Sequence, residues 1–347
     1  MAVVIVNDGE ANRYSENGEG SMRGGNILFR PVSEPDWFFM SGYPSADFTT
    51  RVPWERRILF LMEPPMIEQY GLDYVKQFGV LVSPYAIDGY PGRMILDNTC
   101  LGWHAGSLGK FKKLPDVENY PVPEKTKIIS IVSSISKKKR FGHRKRVAFL
   151  SALLSRYGVE IDYYGHGFNP VQDKLEAIAP YKYHIAIENC NLNNYWTEKL
   201  ADAWVAWSLP IYCGDPSILR KVPDPLGIEV IDISDPMSAL RHIDYILNSD
   251  IYSSRLDAIA ACRKWVIQKS NIYTRVCEII ESAGEATLKK TRLEHDDVIR
   301  RLKHKHRTVG GVLGGAVSWC IGASLAWNIK RMHRKIARSK EAAAYEI

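Results

Sequence analysis

Tyr181-Lys182-Tyr183-His184-Ile185-Ala186-Ile187-Glu188-Asn189-Cys190, then Tyr195-Trp196-Thr197-Glu198-Lys199-Leu200, then Leu209-Pro210-Ile211-Tyr212-Cys213-Gly214-Asp215-Pro216 follow one another in this chain. The apolar, β-branched run 183–188 reads as a strand, 197–207 as a helix and 209–213 as a second strand. Strand, helix, strand is the repeating unit of a parallel sheet with crossover helices. Open sheets of this kind bind ligands beyond the carboxyl ends of their strands. Glu188 and Asn189 stand at such an end, and Thr197 stands where a helix cap is expected. A helix start there would present backbone N–H groups to a diphosphate. Lys199 would add a cation, and Glu198 an acceptor for sugar hydroxyls. Thr197, Glu198 and Lys199 taken alone fit an ordinary capped and solvated helix start equally well.

Outward from this stretch the alternation continues. Residues 127–133 and 159–164 read as strands, and 146–157 as a helix with Val147, Leu150, Leu153 and Leu154 on one face. Residues 228–233 form a strand and 236–247 a helix. Together they predict a Rossmann-like domain. Toward the N-terminus the pattern is weaker. Residues 1–8 read as a first strand, and 26–29, 58–62 and 79–83 as further short strands. The aromatic stretch Pro35-Asp36-Trp37-Phe38-Phe39 reads as loop. Residues 114–123 carry three prolines and read as a surface linker. From about residue 253 the chain reads as helical and increasingly basic. Residues 308–329 carry no formal charge over a length that could span a bilayer, with basic clusters at 301–307 and 330–335.

A length of 347 residues suits two domains, and 46% hydrophobic content suits a buried core. The net charge of +7 is concentrated at 137–146 and beyond residue 300, which fits phosphate-bearing ligands or an anionic membrane surface. No nucleic-acid reader motif is present. P-loop and serine-hydrolase patterns are absent, and Asp232 and Asp235 have the wrong spacing for a metal-binding Asp-x-Asp pair. Six scattered cysteines without a CxxC pair, and an N-terminus without a basic signal region, predict free thiols and a cytoplasmic protein.

The order and spacing of 181–216 resemble the signature of glycosyltransferase family 10, the α-1,3/α-1,4-fucosyltransferases. Ile187, Cys190 and Tyr183 depart mildly from the usual residues. The resemblance implies two Rossmann-like domains facing across a cleft, the glycosyltransferase-B architecture, here with a helical basic tail. The corresponding divisions are an acceptor-binding domain at 1–113, a linker at 114–126, a GDP-sugar-binding domain at 127–285 and a tail at 286–347. By the same resemblance, GDP-fucose is the donor and no metal or other cofactor is required. Tyr195, Glu198 and Lys199 contact the donor, with Thr197 and Glu188 beside them, and Asn189 shapes the pocket. Arg146 is the phosphate clamp, with Arg144 next. His166 lies in a turn where the family often has a basic residue. Glu63, after the strand 58–62, matches the catalytic base, with Glu68 in reserve, and Glu198 or Glu188 steadies the charge on the sugar. The implied acceptor is a glycan of galactose/N-acetylglucosamine type, or a lipid-linked oligosaccharide reached through a membrane-associated tail. Two other readings remain: a transferase of the same architecture using another nucleotide sugar, and a basic phosphate- or RNA-binding protein without turnover.

Overall fold

The computed structural model describes residues 2–6, 28–29, 35–100, 102–133, 143–165, 168–284, 287, 293–302, 331 and 334. Its first part contains β1 (Ala2–Val6), β2 (Leu28–Phe29), β3 (Trp37–Ser41), β4 (Phe48–Thr50), β5 (Arg57–Phe60), β6 (Val80–Ser83) and β7 (Arg93–Leu96), with a short helix α1 (Leu72–Val75) between β5 and β6. All but β4 join one parallel sheet in the order β2-β1-β3-β5-β6-β7. After α2 (Leu114–Glu118) come β8 (Lys127–Val132), α3 (His143–Tyr157), β9 (Ile161–Tyr164), α4 (Lys174–Ile178), β10 (Tyr181–Ile187), α5 (Glu198–Val205), β11 (Leu209–Cys213) and β12 (Glu229–Val230). These strands form a second parallel sheet, β12-β11-β10-β8-β9. Both sheets start from the 2-1-3 arrangement of doubly wound folds, whose switch point lies between the first and third strands. Two Rossmann-like units are thus present.

β10 is central and buried on both faces, so its sequence is a nearly continuous apolar run. Ile185 sits in register with Ile131 on one side and Ile211 on the other, each almost fully buried. In the neighbouring row, Ser130 and His184 satisfy each other at 2.9 Å. Burial drives the His184 pKa down to about 3, so the ring is neutral. The cysteines 100, 190, 213, 262 and 277 are free thiols, and Cys320 lies outside the described residues.

Three expectations change. The aromatic stretch after Pro35 is strand β3, not loop. Phe38 and Met40 face one core cluster, while Trp37 and Phe39 face the other. A strand buried on both sides lacks the alternation by which exposed strands are recognised. The linker is partly helical: Pro115 occupies the first turn of α2, where its missing N–H costs nothing, and Leu114 and Val117 are buried. The tail, expected to be helical from 286, contains β13 (Asp297–Ile299), which pairs antiparallel with β4. Ile299 enters the core beside Phe38 and Leu59, and Asp297 pairs with the buried Arg57 at 2.7 Å. Residues 308–329 lie outside the described residues. Among those described, no helix is long and apolar enough to cross a membrane.

The remaining helices are α6 (Pro236–Ser249), α7 (Leu256–Gln268) and α8 (Ile272–Glu281). α8 returns to the first unit, where Tyr273 meets Phe39 edge to face at 5.8 Å and Arg275 binds Asp97 at 2.8 Å. The segment leaving β7 crosses the other way. The backbone N–H groups of His104 and Ala105 donate to Asp202, and those of Gly106 and Leu108 to Asp173. Residues 104–108, read from sequence as part of the first domain, are therefore sewn to the second.

Because β13 fills the core and pairs with Arg57, a chain ending at Ser282 should be less stable than one ending at Leu302. The loss of Ile299 and of a partner for a buried guanidinium amounts to about 2–4 kcal/mol. Urea unfolding of the two truncated proteins measures the difference. Equal midpoints would show that β13 adds nothing.

Candidate active site

The switch point of the second sheet lies between the ends of β8 and β10. There α3 places Arg146 across the end of β10. Arg146 Nη2 donates to the Glu188 backbone oxygen at 3.1 Å and to Asn189 Oδ1 at 2.9 Å. Both acceptors are neutral, so among the described residues no carboxylate cancels the guanidinium by direct pairing. Arg146 Nε is buried with no hydrogen-bond partner among the described residues. Burial pushes the Arg146 pKa down, and the Glu188 charge opposes that shift. An arginine stays charged through such a shift. A buried donor left idle on a positive group is the arrangement an anionic ligand completes.

Glu188 is 4% exposed, at the first position beyond β10. One of its oxygens accepts from the Thr197 backbone N–H at 2.7 Å, and both lie within hydrogen-bond distance of Thr197 Oγ1, at 3.0 and 2.8 Å. Lys199 Nζ approaches to 3.5 Å. Burial raises the Glu188 pKa, and Lys199 holds it back. Glu188 thus ties the end of β10 to the start of α5, which Thr197 caps as the sequence implied. Gly214 leaves room for this carboxylate, since a Cβ there would come within 2.8 Å of Glu188 Cγ.

Glu198 opens α5 and meets Lys199 at 3.3 Å and Lys174 at 3.5 Å; Lys174 also binds the buried Asp202 at 2.8 Å. Burial pushes the Glu198 carboxyl up, but the ammonium groups of Lys199 and Lys174 outweigh it and bring its pKa down to about 2. Burial likewise opposes the charge on Lys199, and Glu188 and Glu198 more than restore it, so its pKa is raised. The two carboxylates flanking Lys199 are therefore displaced in opposite directions.

Glu63 lies three residues beyond β5, half-buried, ahead of Pro64 and Pro65. The Tyr195 phenol is pushed up by burial, then by the charges of Glu188 and Glu63. Cys190 is also pushed up by burial first, with Glu188 and Glu63 adding. Glu63 thus stands across from the loop leading into α5. Glu68 turns to the Tyr70 hydroxyl at 3.2 Å, within a cluster where Tyr43 stacks on Tyr70. The structure brings Glu63, Arg146, Glu188, Asn189, Tyr195, Thr197, Glu198 and Lys199 to one region. The Arg144 side chain and His166 lie outside the described residues.

Residues 122–294 match the profile of glycosyltransferase family 10 (fucosyltransferase), C-terminal part. The chain belongs to this family. It is similar to an α-(1,3)-fucosyltransferase of Helicobacter pylori, 32% identical over 80 residues that cover 23% of this chain and 16% of that one. A gorilla 4-galactosyl-N-acetylglucosaminide 3-α-L-fucosyltransferase is 27% identical over 155 residues, covering 39% of this chain and 40% of that one. The chain thus spans less than half the length of these relatives. A solved α1,3-fucosyltransferase with GDP-fucose aligns with 86% of this chain and 93% of its own, at 16% identity and a TM-score of 0.48.

Beyond the signature, the charged cluster at Glu198 includes Lys174 and Asp202, which sequence reasoning did not single out. Asp202 lies one helical turn beyond Glu198, on the same face of α5, so the helix period could have exposed it. Lys174 carries no local signal.

The displaced Glu198 pKa has a consequence for stability. A folded-state value below the unfolded one contributes stability that is full above the ordinary carboxyl range and is lost as pH falls toward 2. Glu198→Gln should therefore destabilise the protein at pH 6, and the difference from wild type should shrink steadily below about pH 4.5. Urea titrations at a series of pH values test this. A pH-independent difference would contradict the assigned ionisation.

Proposed function

We propose that this chain transfers L-fucose from GDP-fucose to a hydroxyl of a galactose/N-acetylglucosamine-type glycan, with inversion at the anomeric carbon. The observation that carries the reading is the idle Nε of Arg146 at the switch point, beside Lys199 and opposite Glu63. The names borne by members of the family support the choice of sugar.

In this mechanism the diphosphate lies between the Arg146 guanidinium and the Lys199 ammonium. Glu63 accepts the proton of the acceptor hydroxyl, whose oxygen then bonds to C1 of fucose from the face opposite the diphosphate. The C1–O bond to phosphate breaks, its electron pair leaves with GDP, and the β-linked sugar becomes α-linked. Glu198, held ionised by its two lysines, cannot donate a proton near neutral pH. Its part is to accept hydroxyl hydrogen bonds and to face the positive charge that develops on the sugar ring. Glu63, reached from the opposite sheet, takes the part of base.

Glu63→Gln should abolish transfer while leaving GDP affinity near wild type, because the base meets only the acceptor. Arg146→Ala should instead weaken GDP binding by about 1.5–3 kcal/mol per lost charge-assisted contact. Calorimetric titration with GDP and a transfer assay with GDP-fucose separate the two. Wild-type turnover by the Gln variant would remove Glu63 as base, and stronger protection by UDP-glucose than by GDP would favour another nucleotide sugar.

A further inference from the structure

The turn 194–197, which carries Tyr195 into α5, has its backbone groups held one by one. The Asn194 N–H donates to Asp215 Oδ2 at 2.6 Å, the Tyr195 N–H to the Leu192 oxygen at 3.1 Å, and the Thr197 N–H to Glu188. The Tyr212 hydroxyl approaches the Tyr195 oxygen at 3.5 Å. These partners all belong to the second unit. The oxygens of Asn194 and Trp196, on either side of Tyr195, are taken by a single residue from the first. Asn98 Nδ2 donates to them at 3.1 and 2.8 Å.

Asn98 is 2% exposed and stands two residues beyond β7. Its Oδ1 accepts the Cys100 N–H at 2.7 Å, so both ends of the amide are engaged. Cys100 has φ of +54° and Asn194 φ of +62°, so a bent backbone on each side meets at this one amide. The preceding residue, Asp97, is anchored to Lys221 and Arg275 of the second unit. Asn98 and Glu63 both follow strands of one sheet, in which β5, β6 and β7 are consecutive neighbours.

We infer that Asn98 is a positioning residue for donor binding. Its amide fixes Tyr195 and the start of α5 relative to the sheet bearing Glu63. This rests on the donor-site reading above. A part-buried and a buried carbonyl flank the tyrosine, and without Asn98 they lose this donor. The turn then relaxes toward other partners and carries Tyr195 with it.

Asn98→Asp separates this role from a merely structural one. It keeps the oxygen that accepts from Cys100 and replaces the donating nitrogen with an oxygen facing two carbonyls. The dissociation constant for GDP, and the KM for GDP-fucose, should rise about 10-fold or more, with the KM for the acceptor unchanged. A general loosening would move both KM values together. Wild type is titrated first. If it does not bind GDP, the donor assignment itself falls; if it binds and Asn98→Asp binds within about two-fold, only the positioning role falls. If the variant does not fold, hydrogen exchange on the wild-type protein decides. GDP should then slow exchange of the Cys100 amide together with that of Tyr195 and Thr197. Protection of 195–197 with Cys100 unaffected would overturn the inference.

Discussion

A carboxylate removed from water at the end of β10 is the constraint around which the site is built. Burying an ionised Glu188 costs several kcal/mol unless hydrogen bonds and an opposite charge offset it. The offsets come from Thr197, through both its N–H and its hydroxyl, and from Lys199. That requirement brings the first turn of α5 against the strand end. It also leaves the backbone oxygen of Glu188 facing the switch point, where Arg146 reaches it. Glu188, nearest the centre of the charged cluster, thus acts by holding the groups around it.

The electrostatics then divide the work among like residues. Lys199 lies between Glu188 and Glu198, and Lys174 adds its charge only on the Glu198 side. Burial dominates at Glu188 and the cations dominate at Glu198, so one pKa rises while the other falls. Carboxyl groups whose environments separate their pKa values take different parts in catalysis. Glu198 is fixed as an anion, and in the proposed mechanism proton transfer falls to Glu63 on the opposite unit. Among the described residues, Arg146 remains a cation whose direct partners are neutral, with one donor idle. The site is electrostatically incomplete in the way a diphosphate would complete.

How much of this was legible in the sequence depended on how local each cause was. The β10–α5–β11 unit announced itself because its strands are nearly continuous apolar runs and Thr197 caps the helix between them. Arg146, like Glu63, was placed by the family resemblance, and the structure shows it reaching Asn189. Glu63 carried no signal of its own beyond a strand end; its place came from the family resemblance. β3 was hidden because burial on both faces erased its alternation, and β13 because pairing with β4 depends on residues far away in sequence. Asn98 and Lys174 were invisible for the same reason. Their partners lie tens of residues away, with Asn98 and Trp196 separated by 98 positions. Patterns of period two or 3.6 cannot report such pairings.

The central claim is that Arg146 and Glu63 face the two ends of one donor, and a structure of the protein with GDP-fucose tests it most directly. The account predicts diphosphate oxygens about 3 Å from Arg146 Nε and from Lys199 Nζ. It also predicts the Glu63 carboxylate on the face of the sugar opposite the leaving group. A nucleotide bound elsewhere, with Arg146 still engaged only by Glu188 and Asn189, would contradict it.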